Sequence, residues 1–244
     1  MKGVILAGGL GTRLYPLTFA TNKHLLPIYD RPMVFYPINT LVKAGIVEIL
    51  LVTSGPYSGD FIRVLKNGKE LGVKHLEYAY QEKPDGGIAD ALLLAEDFAD
   101  NGSITVILGD NTTDADIKDP ILNFTSGALI FLKKINDRQL LGRFGVPMFD
   151  KQDRRKIIKI EEKPKNPQSN YAATGLYIYD NKVFDYIRQC QPSWRNELEI
   201  TDVNNQYIKR KQLYWMELKG FWSDAGTFET LFLANKYWAQ KAGI

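Results

Sequence analysis

Cysteine is all but missing from this chain. Cys190 stands alone, so no intramolecular disulfide can form, and with only two histidines there is no Cys/His cluster from which to build a zinc site. A lone thiol suits a reducing compartment, and the chain reads as cytoplasmic. No apolar run reaches the length of a membrane span. The opening MKGVILAGG has one lysine and only a short apolar stretch, too little for a signal peptide. Charge of either sign is not in excess: 31 Lys and Arg against 28 Asp and Glu leave a net charge of +3. That suits an anionic substrate but lacks the concentrated basic face of a nucleic-acid binder, and Lys133-Lys134 and Lys209-Arg210-Lys211 read as solvated surface. No long linker is present either, since the longest Pro/Asn/Ser stretch, 164–170, is short. The 244 residues, 45% hydrophobic, therefore read as one continuous domain over 1–244 with a full core.

What is present is concentrated first in KGVILAGGLGTRLYPLTFATNKHLLP, residues 2–27. Val4-Ile5-Leu6-Ala7 is too short for a helix and reads as a buried strand, which then delivers Gly8, Gly9 and Gly11. Glycines bring bare backbone, and consecutive N–H groups curled around one point form an anion-binding concavity. Arg13 offers a fixed fork of donors suited to phosphate oxygens, and Lys23 can bring a second cation. Two common phosphate loops are excluded. In the dinucleotide pattern the third glycine would fall on Leu14, with Pro16 where a helix should run, and in the Walker pattern Arg13-Leu14 stands where Gly-Lys is required. An ordinary glycine-rich turn after a core strand remains the plain alternative.

Further along, Asp30 and Pro32 predict the start of a helix that closes at Gly45 and kinks at Pro37. Residues 48–52 and 74–80 read as strands, 57–65 and 88–98 as helices, and 104–108 as a fourth strand ending in Gly109-Asp110-Asn111. Strands alternating with helices imply a parallel sheet with crossovers on both faces. Gln81 and Asp110 then lie at carboxyl ends of strands, where open α/β sheets bind ligands. A carboxylate at such a tip can hold a hard divalent cation, and 110–121 is not an EF-hand loop, because Ala115 and Ile121 occupy its glycine and glutamate positions. In the second half, 128–133, 144–149, 156–160 and 171–179 read as strands, with Pro147 arguing for an edge. An amphipathic helix is predicted over 197–210, and a last helix over 228–238 with Phe228, Leu231, Phe232 and Trp238 on a core face.

GGLGTRLYPLTFATNKHLLPI closely resembles the signature of the sugar-1-phosphate nucleotidylyltransferases, and six further stretches fit: the Gln81 loop, Leu108-Gly109-Asp110-Asn111, Glu161-Glu162-Lys163-Pro164, Tyr171 to Tyr177, RNELEITD over 195–202 and WSDAGT over 222–227. The resemblance runs from Lys2 to about Trp238. It implies an α/β nucleotide-diphospho-sugar transferase (Rossmann-like) fold, a mixed, mainly parallel sheet flanked by helices, with about 1–125 binding nucleotide and about 126–244 binding sugar. The implied reaction transfers a thymidylyl group from dTTP to α-D-glucose-1-phosphate, releasing pyrophosphate and dTDP-glucose, with Mg²⁺. The residues implicated as catalytic are Arg13, Lys23, Lys163 and Arg195. Those implicated around the nucleotide are Leu6, Gly8, Gly9, Gly11, Thr12, Arg13, Gln81, Asp110 and either Gly86 or Gly87, between which the spacing does not choose. The sugar phosphate is implied to meet Asn111, Gly145, Glu162, Lys163, Ala173, Thr174, Arg195 and Trp222, and the metal Asp110 and Asp224. Three departures stand out: Thr112-Thr113 where bulky apolar residues are common, Phe144 for a tyrosine, and Asn196 for a glycine.

Gln81 does not by itself exclude uracil, so a uridylyl or other nucleotidylyl transfer stays open beside thymidylyl transfer. A nucleotide-sugar binder without turnover is the reading of a different class, against which the joint presence of Asp110 and Asp224 speaks, since pure binding does not need both. Family resemblance also implies a homo-oligomer. The sequence ends at Ile244, six residues after Trp238, which is too little for the extra helical segment that carries a second nucleotide-sugar site in longer relatives. On that expectation a dTDP-sugar end product would compete with dTTP at the active site.

Overall fold

The computed structural model describes residues Met1–Ile244. Its centre is a seven-stranded sheet of β1 (Lys2–Ala7), β2 (Glu48–Ser54), β3 (His75–Gln81), β4 (Ile104–Leu108), β5 (Ala128–Lys134), β6 (Tyr171–Tyr179) and β7 (Leu213–Glu217), in the order β7-β5-β6-β4-β1-β2-β3. Only β6 runs against the rest, antiparallel to both β4 and β5, so the sheet is mixed and mainly parallel as expected. The runs predicted as strands from their buried apolar character form this sheet because both of its faces are covered. Along β1, Val4 and Leu6 join a core beneath the helices Ile88–Leu93, Lys182–Arg188 and Ile200–Lys209. Ile5 and Ala7 point the other way, into a core beneath Phe35–Lys43 and Ser58–Leu65.

Several local expectations give way. The first helix starts at Phe35, so Pro37 falls in its first turn, where a backbone N–H has no intrahelical partner to lose, and the expected kink has no cause. Asp30 caps nothing: it holds Arg31 through two 2.7 Å hydrogen bonds in the turn between the short strands Pro27–Ile28 and Arg31–Pro32. The helix expected over 88–98 is two pieces, Ile88–Leu93 and Glu96–Ala99. The amphipathic helix begins at Ile200, with residues 195–199 left as loop. Gly145–Phe149 pairs only with Ile157–Glu162, which is the edge position that Pro147 requires. In the final helix, Phe228–Lys241, Leu231 is buried but Phe228 and Phe232 are 44% and 66% exposed, so the apolar stripe is not one core face. That helix is fixed at its start by a Thr227–Thr230 capping box and docks Leu231 and Ala234 against Leu14 and Leu26 of the glycine-rich segment and against Met33 beyond it. No helix is long and apolar enough to cross a membrane.

Candidate active site

The carboxyl ends of β1, β3 and β4 open into a cavity of about 710 Å³, and the reversed strand β6 brings its amino-terminal half to the same edge. After β1 the chain turns through Gly8, Gly9 and Gly11. A Cβ on Gly8 would stand 2.9 Å from Ser54 Oγ and 3.0 Å from Gln81 Oε1, while Gly9 N–H donates to Ser54 Oγ at 2.8 Å. Gly11 has φ +65°, and its carbonyl accepts from Thr18 Oγ1 at 2.9 Å. The turn that follows buries Leu14 and leaves Arg13 exposed, with no carboxylate in ion-pair reach and no side-chain hydrogen bond.

Every other cation in the cavity is already engaged. Lys23 Nζ sits 2.6 Å from Asp110 Oδ2. Arg143 meets both oxygens of Asp224, at 3.1 and 3.3 Å. Arg195 forks onto Glu199 at 2.9 Å and also reaches Glu197 at 2.9 Å, and Lys163 lies 3.8 Å from Glu162. Five cationic side chains face six carboxylates in the lining, so the cavity has no surplus of positive charge with which to receive a polyanion. That imbalance is what a bound divalent cation would correct.

The carboxylates best placed for it are Asp110 and Asp224. Asn111–Thr113 and Trp222–Asp224 form an antiparallel pair that sets Asp224 opposite Asn111, and Ala225 N–H donates to the Asp110 carbonyl at 2.8 Å. Burial opposes ionising Asp110, but the Lys23 charge together with the hydrogen bonds that the carboxylate accepts from Lys23 and Asn111 holds it well below the usual range. Asp224 has the opposite fate, for burial and the neighbouring Asp110 charge push it up to about 6 against the pull of Arg143. At Gly226 a Cβ would stand 3.2 Å from Arg13 Nη2 and 3.5 Å from Asp110 Oδ2, so glycine leaves the space between them clear. Two hard oxygen donors that repel one another, beside such a space, fit Mg²⁺, which commonly takes one or two protein carboxylates and completes its shell with phosphate and water.

The same cavity is lined by a second group. Glu162 Oε2 accepts from Thr201 Oγ1 at 2.5 Å, and burial raises its carboxyl above the ordinary range. Asn196 has φ +61°, a left-handed conformation that asparagine tolerates better than most residues, which explains how it stands in for glycine there. Asn111 accepts Gly175 N–H at 3.0 Å and Trp222 Nε1–H at 2.7 Å while donating to Asp110 Oδ1 at 3.0 Å. Asn111 and Trp222 thus brace Asp110. Phe144, lacking the hydroxyl of a tyrosine, packs edge-on to Trp222 with ring centroids 5.4 Å apart.

Of the residues singled out in the sequence, all line this cavity except two. Thr174 points away from it, fully buried, and donates to the Phe131 carbonyl at 2.9 Å, as strand alternation from Ala173 requires. Gly86 stands behind the lining, whereas Gly87 is in it, at φ +96°, where a Cβ would stand 2.5 Å from the Leu198 carbonyl oxygen. The sequence reading overlooked Arg143, Thr201, Glu199 and His24. Arg143 carries a weak signal, an arginine directly before Phe144-Gly145, but its tie to Asp224, 81 residues away, is written only in the fold.

His24 lies enclosed beneath the floor, with Asn22 Oδ1 at 2.8 Å from Nδ1. Burial, aided by the Lys23 charge, pushes its imidazole down to about 3. The unfolded chain binds this proton near pH 6.5 and the folded chain does not, so the His24 contribution is complete above pH 6.5 and is lost as pH falls toward 3. At pH 5 about 2 kcal/mol should be gone. Urea unfolding at pH 7.5 and pH 5.0 should show His24→Gln losing about that much less stability than the wild type, and equal losses would refute the assignment.

Comparison with known proteins agrees with this geometry. The nucleotidyl transferase family model matches residues 2–241. A glucose-1-phosphate thymidylyltransferase from Neisseria gonorrhoeae is 42% identical over 244 residues, covering 97% of this chain and 82% of that one. Its counterpart from Mycolicibacterium smegmatis is 42% identical over 242 residues with the same coverage. A Bacillus anthracis crystal structure described as that of a glucose-1-phosphate thymidylyltransferase, with sucrose bound, superposes with TM-score 0.89 at 48% identity over 97% of this chain and 94% of that one. UDP-glucose pyrophosphorylase with UDP-glucose bound shares the fold, with TM-score 0.83 at 24% identity over 98% of each chain. With its sheet order, its glycine-rich turn and its paired aspartates all in place, the chain belongs to the nucleotidyl transferase family, in the branch that holds the glucose-1-phosphate thymidylyltransferases.

Proposed function

We propose that this protein transfers a thymidylyl group from dTTP to α-D-glucose-1-phosphate, yielding dTDP-glucose and pyrophosphate, with Mg²⁺ held by Asp110 and Asp224. The observation that carries the reading is one exposed, unpaired guanidinium, Arg13, beside the buried Asp110 and the half-buried Asp224 at the carboxyl edge of the sheet, in a cavity that Glu162, Lys163 and Arg195 also line. The names of the relatives support dTTP and glucose-1-phosphate as substrates.

Two polyanions have to meet, and such chemistry consists mostly of positioning and charge neutralisation. In this reading the glycine-rich turn cradles the triphosphate, Arg13 meets its oxygens as pyrophosphate departs, and Lys23 serves the same phosphates. Glu162, braced by Thr201, accepts hydrogen bonds from sugar hydroxyls, and Lys163 and Arg195 hold the sugar phosphate. The attacking phosphate oxygen is already ionised at neutral pH, so no side chain need take a proton. Bound Mg²⁺ would neutralise phosphate charge and polarise the reacting phosphorus centre.

Pyrophosphate release measured across a matrix of nucleoside triphosphates and sugar-1-phosphates tests the reading. Turnover is expected with dTTP, glucose-1-phosphate and Mg²⁺ together and to vanish on chelation with EDTA. No pyrophosphate at saturating substrates would overturn the enzyme reading, and a strong preference for UTP would replace thymidylyl transfer by uridylyl transfer.

A further inference from the structure

Gln81 ends β3 at the cavity, and its amide is tied down from behind. Its Nε2 donates to Asp90 Oδ2 at 2.7 Å and to the Gly87 carbonyl at 3.3 Å, so both amide hydrogens are taken by acceptors. Oε1 has no protein partner, yet it is not an enclosed orphan, because it opens to the cavity beside Gly8. Turning the amide over would set Oε1 against a carboxylate and a carbonyl, neither of which can donate. Asp90 is half-buried on the helix Ile88–Leu93, whose start is pinned by Ala89 N–H to the Leu198 carbonyl at 3.1 Å and by Leu198 N–H to the Gly86 carbonyl at 2.8 Å. A Cβ on Gly86 would collide with the Asp90 carboxylate and come within 3.2 Å of Gln81 Nε2, so glycine there is what lets the two side chains meet.

We propose that Asp90 is a specificity-determining positioning residue: by locking the Gln81 amide with its carbonyl toward the cavity, it makes the site demand a pyrimidine with a ring N–H donor and reject one whose ring nitrogen is an acceptor. This rests on the reading of the cavity as a nucleotide site. Thymine and uracil carry a hydrogen on N3 and can donate to Oε1. Cytosine presents a lone pair at N3, which would face the Oε1 lone pairs unpaired. The lock therefore separates dTTP and dUTP from dCTP and is indifferent to the thymine methyl.

Calorimetric titration with dTTP, dUTP and dCTP in the presence of Mg²⁺ and without sugar phosphate reads base choice without requiring turnover, so it fails separately from the pyrophosphate assay. The wild type should bind dTTP more tightly than dCTP. Asp90→Asn can pair with the amide either way round and Asp90→Ala with neither, so in both the ratio of dCTP to dTTP dissociation constants should fall about tenfold, the scale of one hydrogen bond. The dUTP to dTTP ratio should stay within about twofold, which a general loosening of the site would not preserve for one pair and lose for the other. Wild-type protein that binds dCTP as well as dTTP, or variants that keep the wild-type dCTP to dTTP ratio, would overturn the proposal.

Discussion

Arg13→Ala is expected to lower kcat for dTTP and glucose-1-phosphate by about a thousandfold while leaving thermal stability nearly unchanged. The stability half follows from the structure: Arg13 is exposed, pairs with no carboxylate and makes no side-chain hydrogen bond, so its removal breaks nothing in the fold. The catalytic half follows from its being the only cavity cation with a free hand. Lys23, Arg143, Lys163 and Arg195 are each within ion-pair distance of a carboxylate, and their charge is partly spent before substrate arrives. A preorganised guanidinium beside a departing pyrophosphate is the kind of group whose loss costs two to three orders of magnitude or more. Arg13→Lys should recover part of the rate, since it keeps the charge but not the planar fork. Steady-state pyrophosphate release together with melting curves checks this, and a kcat within tenfold of wild type for Arg13→Ala would move the phosphate contact elsewhere.

Asp110→Asn should have an effect of similar size, with a second signature. A neutral amide is a far weaker ligand for a hard cation, so activity should fall at least about a hundredfold and the Mg²⁺ concentration for half-maximal rate should rise. The same change strips Lys23 of its 2.6 Å partner in a site where both side chains are largely buried, and stability at pH 7.5 should drop by about 3 kcal/mol. Asp224→Asn should raise the Mg²⁺ requirement too but cost little stability, because the charge it removes is the one already disfavoured by burial and by Asp110. Mg²⁺ titrations of rate and urea unfolding of the two variants separate these effects. Half-saturation at the wild-type Mg²⁺ concentration in both would show that neither carboxylate holds the metal.

The pairings that shape these expectations were not all legible in the sequence. Strands β1, β2 and β4 could be read because each is a short, continuous apolar run bounded by turn residues, which is what a strand covered on both faces looks like. The last helix was also visible, over 228–238, but Phe228 and Phe232 on its apolar stripe are exposed, since periodicity reports which residues share a side and not whether anything covers that side. Pro37 misled because its effect depends on where the helix begins, and the cap lies at Val34, four residues past Asp30.

By itself the sequence determined the family signature, the glycine turn that needs positive φ at Gly11, the carboxylates at strand tips, and the alternation of strands with helices, all of which depend on neighbours within a few positions. Only the tertiary structure decided that Gly87 and not Gly86 borders the cavity, that Arg143 guards Asp224, that Asn111 braces Asp110 and that Asp90 turns the amide of Gln81. Arg143 meets Asp224 from 81 residues away and Asn111 is oriented by the distant Gly175 and Trp222, while the outcomes at Gly87 and Asp90 rest on the exact turn of one loop. Hydrogen bonds and ion pairs act over about 3 Å in space, and a linear order of residues does not record which side chains the folded sheet brings to that distance.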